Sequence, residues 1–195
     1  MRVRVKCPCR VDLAGGTLDI WPLGLFHRGS VTVNAAIPLW VRLEVELGAP
    51  VGYVEHAVGE GPWRRLGPDE AESDLTAAVC FALRSTGGVR VRVVEQAPVG
   101  SGVGGSSSYA VALARGMLAL EDRVLGDRAL VELLRDLEAR VLGAPTGVQD
   151  HWPALRGGAL ALHLEPGGGA VEALAVEPSG MEERLTAFLT GVVHN

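Results

Sequence analysis

The chain has 195 residues, of which 48% are hydrophobic and 5% are aromatic, and its mean hydropathy is +0.23. This composition can bury a hydrophobic core, which excludes a disordered chain, and the length allows one domain and the start of a second. The formal charge of −5, without a basic run, argues against nucleic-acid binding, and no apolar run approaches the roughly 20 residues of a membrane span.

The N-terminal residues MRVRVKCPCRV alternate charged residues with valine and lack the apolar stretch of a secretory signal. The chain has three cysteines, an odd number, and Cys7 and Cys9 are too close together for an ordinary disulfide framework. We therefore expect a reducing, cytoplasmic location.

The first hundred residues are rich in segments that alternate apolar and polar residues, a pattern typical of half-buried strands. Such segments lie at 3–5, 31–35, 40–47 and 89–93. Residues 51–58 are expected to form a hairpin with 40–47, because Gly48 and Pro50 favour a turn between them. Later strands are predicted at 159–164 and 171–176, with a glycine turn at 167–169 and an extended segment at 185–193.

Three helices are predicted, at about 73–84, 106–120 and 127–142. Ser73 is a suitable N-cap for the first helix, and Gly87 and Gly88 end it. The second helix is almost wholly apolar, so we expect it to be buried. Strands that come first, with helices on one face of their sheet, favour the α+β class over alternating strands and helices.

Residues 98–108 form a glycine- and serine-rich loop, PVGSGVGGSSS, that opens the second helix. Glycine lets a backbone approach a ligand closely, and the free amides at a helix start favour an anion such as phosphate. The hydroxyls of Ser106, Ser107 and Ser108 add donors, or a ligand for the Mg²⁺ that accompanies phosphates. The plainer interpretation is a flexible loop with a serine cap.

A dinucleotide site is an alternative interpretation of the same loop. Gly100, Gly102 and Gly105 match G-x-G-x-x-G, and Glu121 follows at a suitable distance. However, Pro98 and a spacer separate these glycines from the preceding strand, and three serines occupy the helix start. A Walker A loop is excluded, because no Gly-Lys-Ser/Thr follows.

Two further segments collect polar residues around glycine turns. In the first, Arg10 and Asp12 lie on a strand that leads into Gly15-Gly16 and then Asp19. Carboxylates accept hydrogen bonds from neighbouring hydroxyls, so this set suits a polyhydroxylated ligand. A surface turn with a solvated ion pair explains the same residues.

The second of these segments covers residues 138–158. Glu138 lies late on the third helix, and Asp150 follows a loop shaped by glycine and proline. An acid in such a loop is more often a turn former than a catalyst, and a helical glutamate is usually solvated. His151, beside Trp152, is expected to pack in the core, and the histidines show no zinc spacing.

Taken together and in this order, the segments at 8–19, 98–108 and 138–158 resemble the motifs of the GHMP kinase superfamily. That superfamily includes galactokinase, homoserine kinase, mevalonate kinase and phosphomevalonate kinase. Its phosphate loop, P-x-G-x-G-L-G-S-S-A, is similar to PVGSGVGGSS in this chain. The resemblance implies ATP- and Mg²⁺-dependent transfer of a phosphoryl group, in an α+β domain like that of ribosomal protein S5 domain 2.

The resemblance also implies roles for individual residues. Asp150 is the expected base for the sugar hydroxyl, with Arg10 beside it to orient the nucleophile. Ser106 and Glu138 are the expected Mg²⁺ ligands. Sugar contacts are expected from Arg10, Asp12, Gly16, Asp19 and Asp150. The residues expected around the triphosphate are Pro98, Gly100, Ser101, Gly102, Val103, Gly104, Gly105, Ser106, Ser107 and Ser108.

The chain departs from the galactokinase pattern, because Gly16-Thr17-Leu18 stands where galactokinases carry Glu-His-Thr before Asp19. The Ala-Gly-Gly form is more similar to the heptose-7-phosphate and fucose kinases, so the expected substrate is such a sugar or sugar phosphate. Gly105 replaces the first serine of the usual pair.

Length gives a second departure, since members of this superfamily carry a second domain with a third glycine-rich motif. We expect an ATP-binding domain over 1–176 and a truncated start of a ferredoxin-like C-terminal domain over 177–195. The expected partners are the small-molecule substrate and either a second copy in a homodimer or a missing C-terminal half. A non-catalytic nucleotide-binding module of the same fold remains an alternative.

Overall fold

The computed structural model describes residues 1–165 and 169–176 except residue 21 and residues 84–87, and after them residues 181, 183–186 and 188. The described strands are β1 (Arg2–Ala14), β2 (Ser30–Ala49), β3 (Val54–Val58), β4 (Arg64–Leu66), β5 (Gly88–Glu95), β6 (Ala159–Leu164) and β7 (Ala170–Leu174). The described α-helices are α1 (Leu23–Phe26), α2 (Leu75–Leu83), α3 (Gly105–Leu120), α4 (Asp127–Leu142) and α5 (His151–Arg156), and a 3₁₀ helix covers Pro68–Glu72.

One sheet contains all seven described strands, in the order β4-β3-β5-β2-β6-β7, with β1 also paired to β2. Strand β2 is the long central element, and β1 pairs with one of its edges along most of its length. The remaining edge of β2 is shared: β5 pairs antiparallel with its second half and β6 with its first half. The α+β class predicted from the sequence is confirmed.

The expected hairpin between 40–47 and 51–58 is wrong. Strand β3 pairs antiparallel with β4 and parallel with β5, and β5 takes the place beside β2. Strand β5 carries the buried Val89, Val91 and Val93, whereas the middle of β3 is Glu55 and His56. The strand with the unbroken apolar face therefore lies in the centre of the sheet, where burial is greatest.

Helices α2 and α3 cover one face of the sheet, and the core lies between them and the strands. Helix α4 has the predicted bounds and ends at Gly143, whose φ of 65° is favoured for glycine. The N-cap predicted for α2 is wrong: the amide of Ala77 donates to Asp74 Oδ1 at 3.1 Å, so Asp74 caps the helix instead of Ser73. A carboxylate at this position also interacts favourably with the helix dipole.

The opposite face of the sheet is covered by alternating charges. Arg2, Glu46, Arg90, Glu55 and Arg65 lie side by side on five neighbouring strands. Three of the contacts are ion pairs of 2.8, 2.8 and 3.0 Å. Since unlike charges stand directly opposite each other, this face is stable in water without a covering layer.

Helix α5 is the largest element that the sequence analysis missed, because the segment between the third helix and the strand at 159–164 was interpreted as a loop rich in glycine and proline. Proline is tolerated in the first turn of a helix, where the amide it lacks has no acceptor. The predicted turn at 167–169 and the extended segment at 185–193 lie largely outside the described residues. Within the described part of the chain, no helix is both long and apolar enough to cross a bilayer.

Candidate functional site

The glycine-rich loop connects β5 to the buried helix α3 and lines a cavity of about 810 Å³. Gly100, Gly102 and Gly104 have φ values of 72°, 70° and 70°, a left-handed conformation that is costly for other residues. Helix α3 begins directly after Gly104. Its first-turn amides, which have no acceptor within the helix, therefore lie beside the loop and suit an anion.

The three serines after the loop have different surroundings. Ser106 is exposed and lines the cavity. Ser107 is buried, and its hydroxyl donates to both carboxylate oxygens of Glu138, at 2.9 and 3.2 Å. Ser108 is buried too, and its hydroxyl donates to the carbonyl oxygen of Pro8 at 2.8 Å. Of the three serines, only Ser106 is exposed and lines the cavity.

Glu138 is 5% exposed and is held from two sides. Besides Ser107, the fully buried His151 places Nε2 at 3.1 Å from Glu138 Oε2. Burial alone would raise the pKa of Glu138, but the contacts with His151, Ser106 and Ser107 outweigh it and lower that pKa. The carboxylate is thus favoured in its charged form, as a metal ligand requires.

His151 packs in the interior, as expected, but its contact with Glu138 was not expected. The sequence carried one signal for it, since His151 directly follows Asp150 and so lies beside the third motif. Within the described residues, no group of three or more His, Cys, Asp or Glu side chains could hold a metal. Ser106 and Glu138 could supply two oxygen ligands, so a Mg²⁺ ion bound there would take its other ligands from water and phosphate.

Arg10 joins the loop to the predicted base. Its Nη1 donates to the carbonyl oxygen of Gly102 at 2.7 Å, and its amide donates to the carbonyl of Val103 at 3.0 Å. Its Nε and Nη2 both lie 2.7 Å from Asp150 Oδ1, and Nη2 lies 3.3 Å from Asp12 Oδ2. The guanidinium of Arg10 therefore contacts both the glycine loop and Asp150, which is 140 positions away in the chain.

A second group of polar side chains lies beside Asp12. Asn34, directly opposite Asp12 on β2, is fully buried and donates from Nδ2 to the carbonyl of Gln149 at 2.9 Å. Gln149 Nε2 lies 3.4 Å from Asp12 Oδ2. Sequence reasoning missed Asn34 and Gln149, because the alternation at 31–35 placed Asn34 and Thr32 on the polar face of the strand, whereas the structure buries both side chains. Burial raises the pKa of Asp12, while Arg10 lowers it and Asp150 raises it.

Asp19 lies at the turn after β1 and reaches back to the segment before α5. Its Oδ2 accepts hydrogen bonds from the amides of Val148 and Gln149, at 2.5 and 2.8 Å. Burial is the main cause of a raised pKa for Asp19, and these two bonds oppose it. The amide of Gly16, expected to meet a sugar, lies 3.4 Å from Thr32 Oγ1.

Gly104 is the point of closest approach between the loop and the acid. A Cβ atom built on it would lie 3.2 Å from Arg10 Cγ and 3.3 Å from Asp150 Oδ2, whereas one on Gly102 would meet nothing within 4 Å. Because both glycines have φ of 70°, alanine is equally strained at either position. We expect Gly102→Ala to cost about 1–2 kcal/mol of unfolding free energy, and Gly104→Ala about 1 kcal/mol more from overpacking. Urea unfolding measures both, and equal losses would contradict the close approach.

The chain was compared with protein families and with curated proteins. The family model of the GHMP kinases N terminal domain matches residues 74–158. Over 144 residues the chain is 36% identical to the 4-diphosphocytidyl-2-C-methyl-D-erythritol kinase of Desulfotalea psychrophila, covering 72% of this chain and 46% of that protein. It is 27% identical over 217 residues to the bifunctional fucokinase/GDP-fucose pyrophosphorylase of Arabidopsis thaliana, covering 98% of this chain and 20% of that protein. The chain thus spans less than half the length of either relative.

Solved structures show the same fold. The D-glycero-D-manno-heptose 1-phosphate kinase from Bacteriodes thetaiotaomicron matches with a TM-score of 0.77 at 24% identity, covering 94% of this chain and 63% of that chain. The galactokinase of Lactococcus lactis complexed with galactose matches with a TM-score of 0.74 at 16% identity, covering 90% of this chain and 48% of that chain. The motifs, the fold and the family match agree: residues 74–158 form a GHMP kinases N-terminal domain.

Proposed function

We propose that this chain is the nucleotide-binding part of a kinase that transfers a phosphoryl group from Mg-ATP to a hydroxyl of a sugar or sugar phosphate. The observation that carries the proposal is Arg10, whose guanidinium joins the glycine loop to Asp150. Phosphoryl transfer depends mainly on positioning and on neutralising charge. The guanidinium cation of Arg10 lies between the anion-binding loop and the Asp150 carboxylate, so it can contribute to positioning and to charge neutralisation.

The glycine loop and the first turn of α3 are proposed to hold the triphosphate, with Ser106 and Glu138 holding Mg²⁺. The left-handed glycines and the exposed position of Ser106 fit this role. When bound, ATP supplies the phosphoryl group, and Mg²⁺ neutralises charge on its oxygens. In the same proposal residues 1–176 form the ATP-binding domain, and 177–195 begin the next domain.

Asp150 is proposed as the base that accepts the proton of the attacking hydroxyl. Its side chain is 26% exposed, so a substrate can reach it. Arg10 binds Oδ1 with two nitrogens and thereby fixes the orientation of the carboxylate. A carboxylate can serve as the base in this reaction if the proton leaves late, after bond formation to phosphorus is advanced.

The acceptor is proposed to be a polyhydroxylated sugar of the heptose 7-phosphate or fucose kind. Asp12 is 27% exposed and lies beside Asp150 across Arg10, so two carboxylates can accept bonds from neighbouring hydroxyls. Gly16 is the other residue proposed to contact the sugar. A relative whose name includes fucokinase and a fold neighbour named as a heptose 1-phosphate kinase support this class of substrate.

A dinucleotide-dependent oxidoreductase is not favoured. A dinucleotide site of this type requires parallel strands on both sides of the nucleotide crevice. Among the described strands, only β3 and β5 pair in parallel, and the other five pairings are antiparallel.

Two measurements on the chain test the proposed function. Mg-ATP should raise the melting temperature and NAD should not, because only a ligand that binds the folded state stabilises it. Phosphoryl transfer should then be assayed with heptose 7-phosphate, fucose and galactose, with galactose expected to be the poorest. Stabilisation by NAD alone would support the oxidoreductase, and ATP binding without product from any sugar would support a non-catalytic module.

A further inference from the structure

We infer that Asp19 is a positioning residue for Asp150, which it holds in place through the backbone of residues 147–149. We name residues 147–150 the base loop. The inference rests on the proposed function, because it takes Asp150 to be the base. It differs from the role expected for Asp19 from the family resemblance, which is direct contact with the sugar.

The first argument is the way in which the Asp19 carboxylate is occupied. Oδ2 accepts both consecutive amides, from Val148 and Gln149, at 2.5 and 2.8 Å. Oδ1 is buried and has no hydrogen-bond partner among the described residues. Two bonds to one oxygen fix the peptide planes of the base loop immediately before Asp150, and the other oxygen is buried.

The second argument is the glycine that makes this approach possible. A Cβ atom on Gly147 would overlap Asp19 Oδ2, Cγ and Oδ1 far inside any real contact. Gly147 is not among the residues with positive φ, so its backbone conformation is open to alanine. The absence of a side chain at position 147 therefore serves the approach of the carboxylate and not an unusual backbone angle.

The third argument is that the base loop is clamped from the sheet as well. Asn34, from the centre of the sheet, binds the carbonyl of Gln149 on the other side of the same peptide segment. Asp150 follows at once and is bound by Arg10 from β1. Asp150 is thus held by its own ion pair with Arg10 and by the base loop that precedes it. Asp19 is one of the two side chains that hold this loop.

The fourth argument is the free-energy cost of placing the Asp19 carboxylate in a partly buried position. Among the described residues Asp19 has no ion pair, and Asp150 adds a like charge nearby. A partly buried carboxylate without a cation is unfavourable unless its bonds compensate, and amide bonds to a charged acceptor are stronger than neutral ones. The two amide bonds are therefore the interactions that favour the charged form of Asp19 and oppose the effect of its burial.

The test compares Asp19→Ala, Asp19→Asn, Gly147→Ala and the double variant Asp19→Ala/Gly147→Ala. Asp19→Ala and Gly147→Ala should each lower kcat by about 100-fold, because a displacement of about 1 Å in a catalytic group has this effect. The KM for the sugar and the stabilisation by Mg-ATP should change little. The double variant should be no worse than the poorer single variant, because both changes break the same contact. Asp19→Asn keeps an acceptor oxygen and should recover most of the loss.

Gly126→Ala is the matched control, since a Cβ there meets nothing within 4 Å and its φ is not positive. It should leave both parameters unchanged. Amide hydrogen exchange gives a readout independent of catalysis: the amides of Val148 and Gln149 should exchange faster in Asp19→Ala and Gly147→Ala than in the unaltered chain.

The outcomes separate this inference from the proposed function. A rise in the sugar KM with kcat intact in Asp19→Ala, or additive losses in the double variant, would mean that Asp19 contacts the sugar directly, and the inference would be wrong while the kinase proposal stood. If the chain has no kinase activity, hydrogen exchange still tests the inference. Unchanged exchange rates at the amides of Val148 and Gln149 in Asp19→Ala and Gly147→Ala would contradict it. Activity retained in an Asp150 variant would remove the proposed base and the inference with it.

Discussion

Replacing Asp150 with Asn is expected to lower kcat for phosphoryl transfer by about 10²–10⁴-fold, the range found when a positioned base is lost. Asparagine keeps the volume of the side chain and an oxygen that Arg10 can bind, but it cannot accept the proton of the attacking hydroxyl. Nucleotide binding should survive, because Arg10 would still bond to the carbonyl of Gly102 and so hold the loop. Steady-state assays with the best sugar of the panel measure the first effect, and melting with Mg-ATP measures the second.

Asp136→Asn is the control for the loss of one negative charge. Asp136 is 67% exposed and pairs with its neighbour Arg135 on the outer side of α4. Exposed pairs of this kind contribute little to stability, so kcat and melting temperature should both stay at their original values. Near-normal turnover in Asp150→Asn would show that another group takes the proton, and loss of both binding and folding would require the milder Asp150→Glu.

The sequence predicted best where local pattern decides the structure. Helix α4 was bounded correctly because its apolar face and Gly143 are both local signals. The partner of β2 was predicted wrongly, because a strand's own pattern shows which face is buried but not which strand lies beside it. Helix α5 was missed because it has only six residues, too few to show a helical pattern, and it follows a loop rich in glycine and proline.

The same distinction applies to the site. The three motifs were found because each is a compact run of residues, and the structure brings Arg10, Gly104 and Asp150 together. The contacts of Asn34 and His151 could not be found in this way. Asn34 is 115 positions from Gln149 in the chain, and His151, although it lies in the third segment with Glu138, was expected only to pack in the core. Only the fold determines such pairs, and here they hold the residues that the motifs identify.

Replacing Arg10 with Met should reduce both stability and turnover. The side chain is 10% exposed and bonds to Asp150 and to the carbonyl of Gly102, with Asp12 close by. Removing one partner of a buried pair costs about 3–5 kcal/mol, and the partial exposure of the two carboxylates reduces this to about 2–3 kcal/mol. Because Asp150 would lose its orientation and the loop its anchor, kcat should fall by at least about 100-fold.

A double-variant cycle separates these causes. If the instability of Arg10→Met comes from an unpaired carboxylate, Asp150→Asn should cost less unfolding free energy in the Arg10→Met background than alone, since a neutral amide needs no cation. Arg10→Lys should recover part of the stability but little of the turnover, because an ammonium group cannot hold Asp150 and the loop carbonyl in one rigid plane. Additive unfolding free energies in the double variant would mean that Arg10 stabilises the protein without its ion pair to Asp150, and full turnover in Arg10→Lys would mean that the planar guanidinium is not required. The guanidinium would then no longer connect the loop to the acid, and the kinase proposal would lose the observation that carries it.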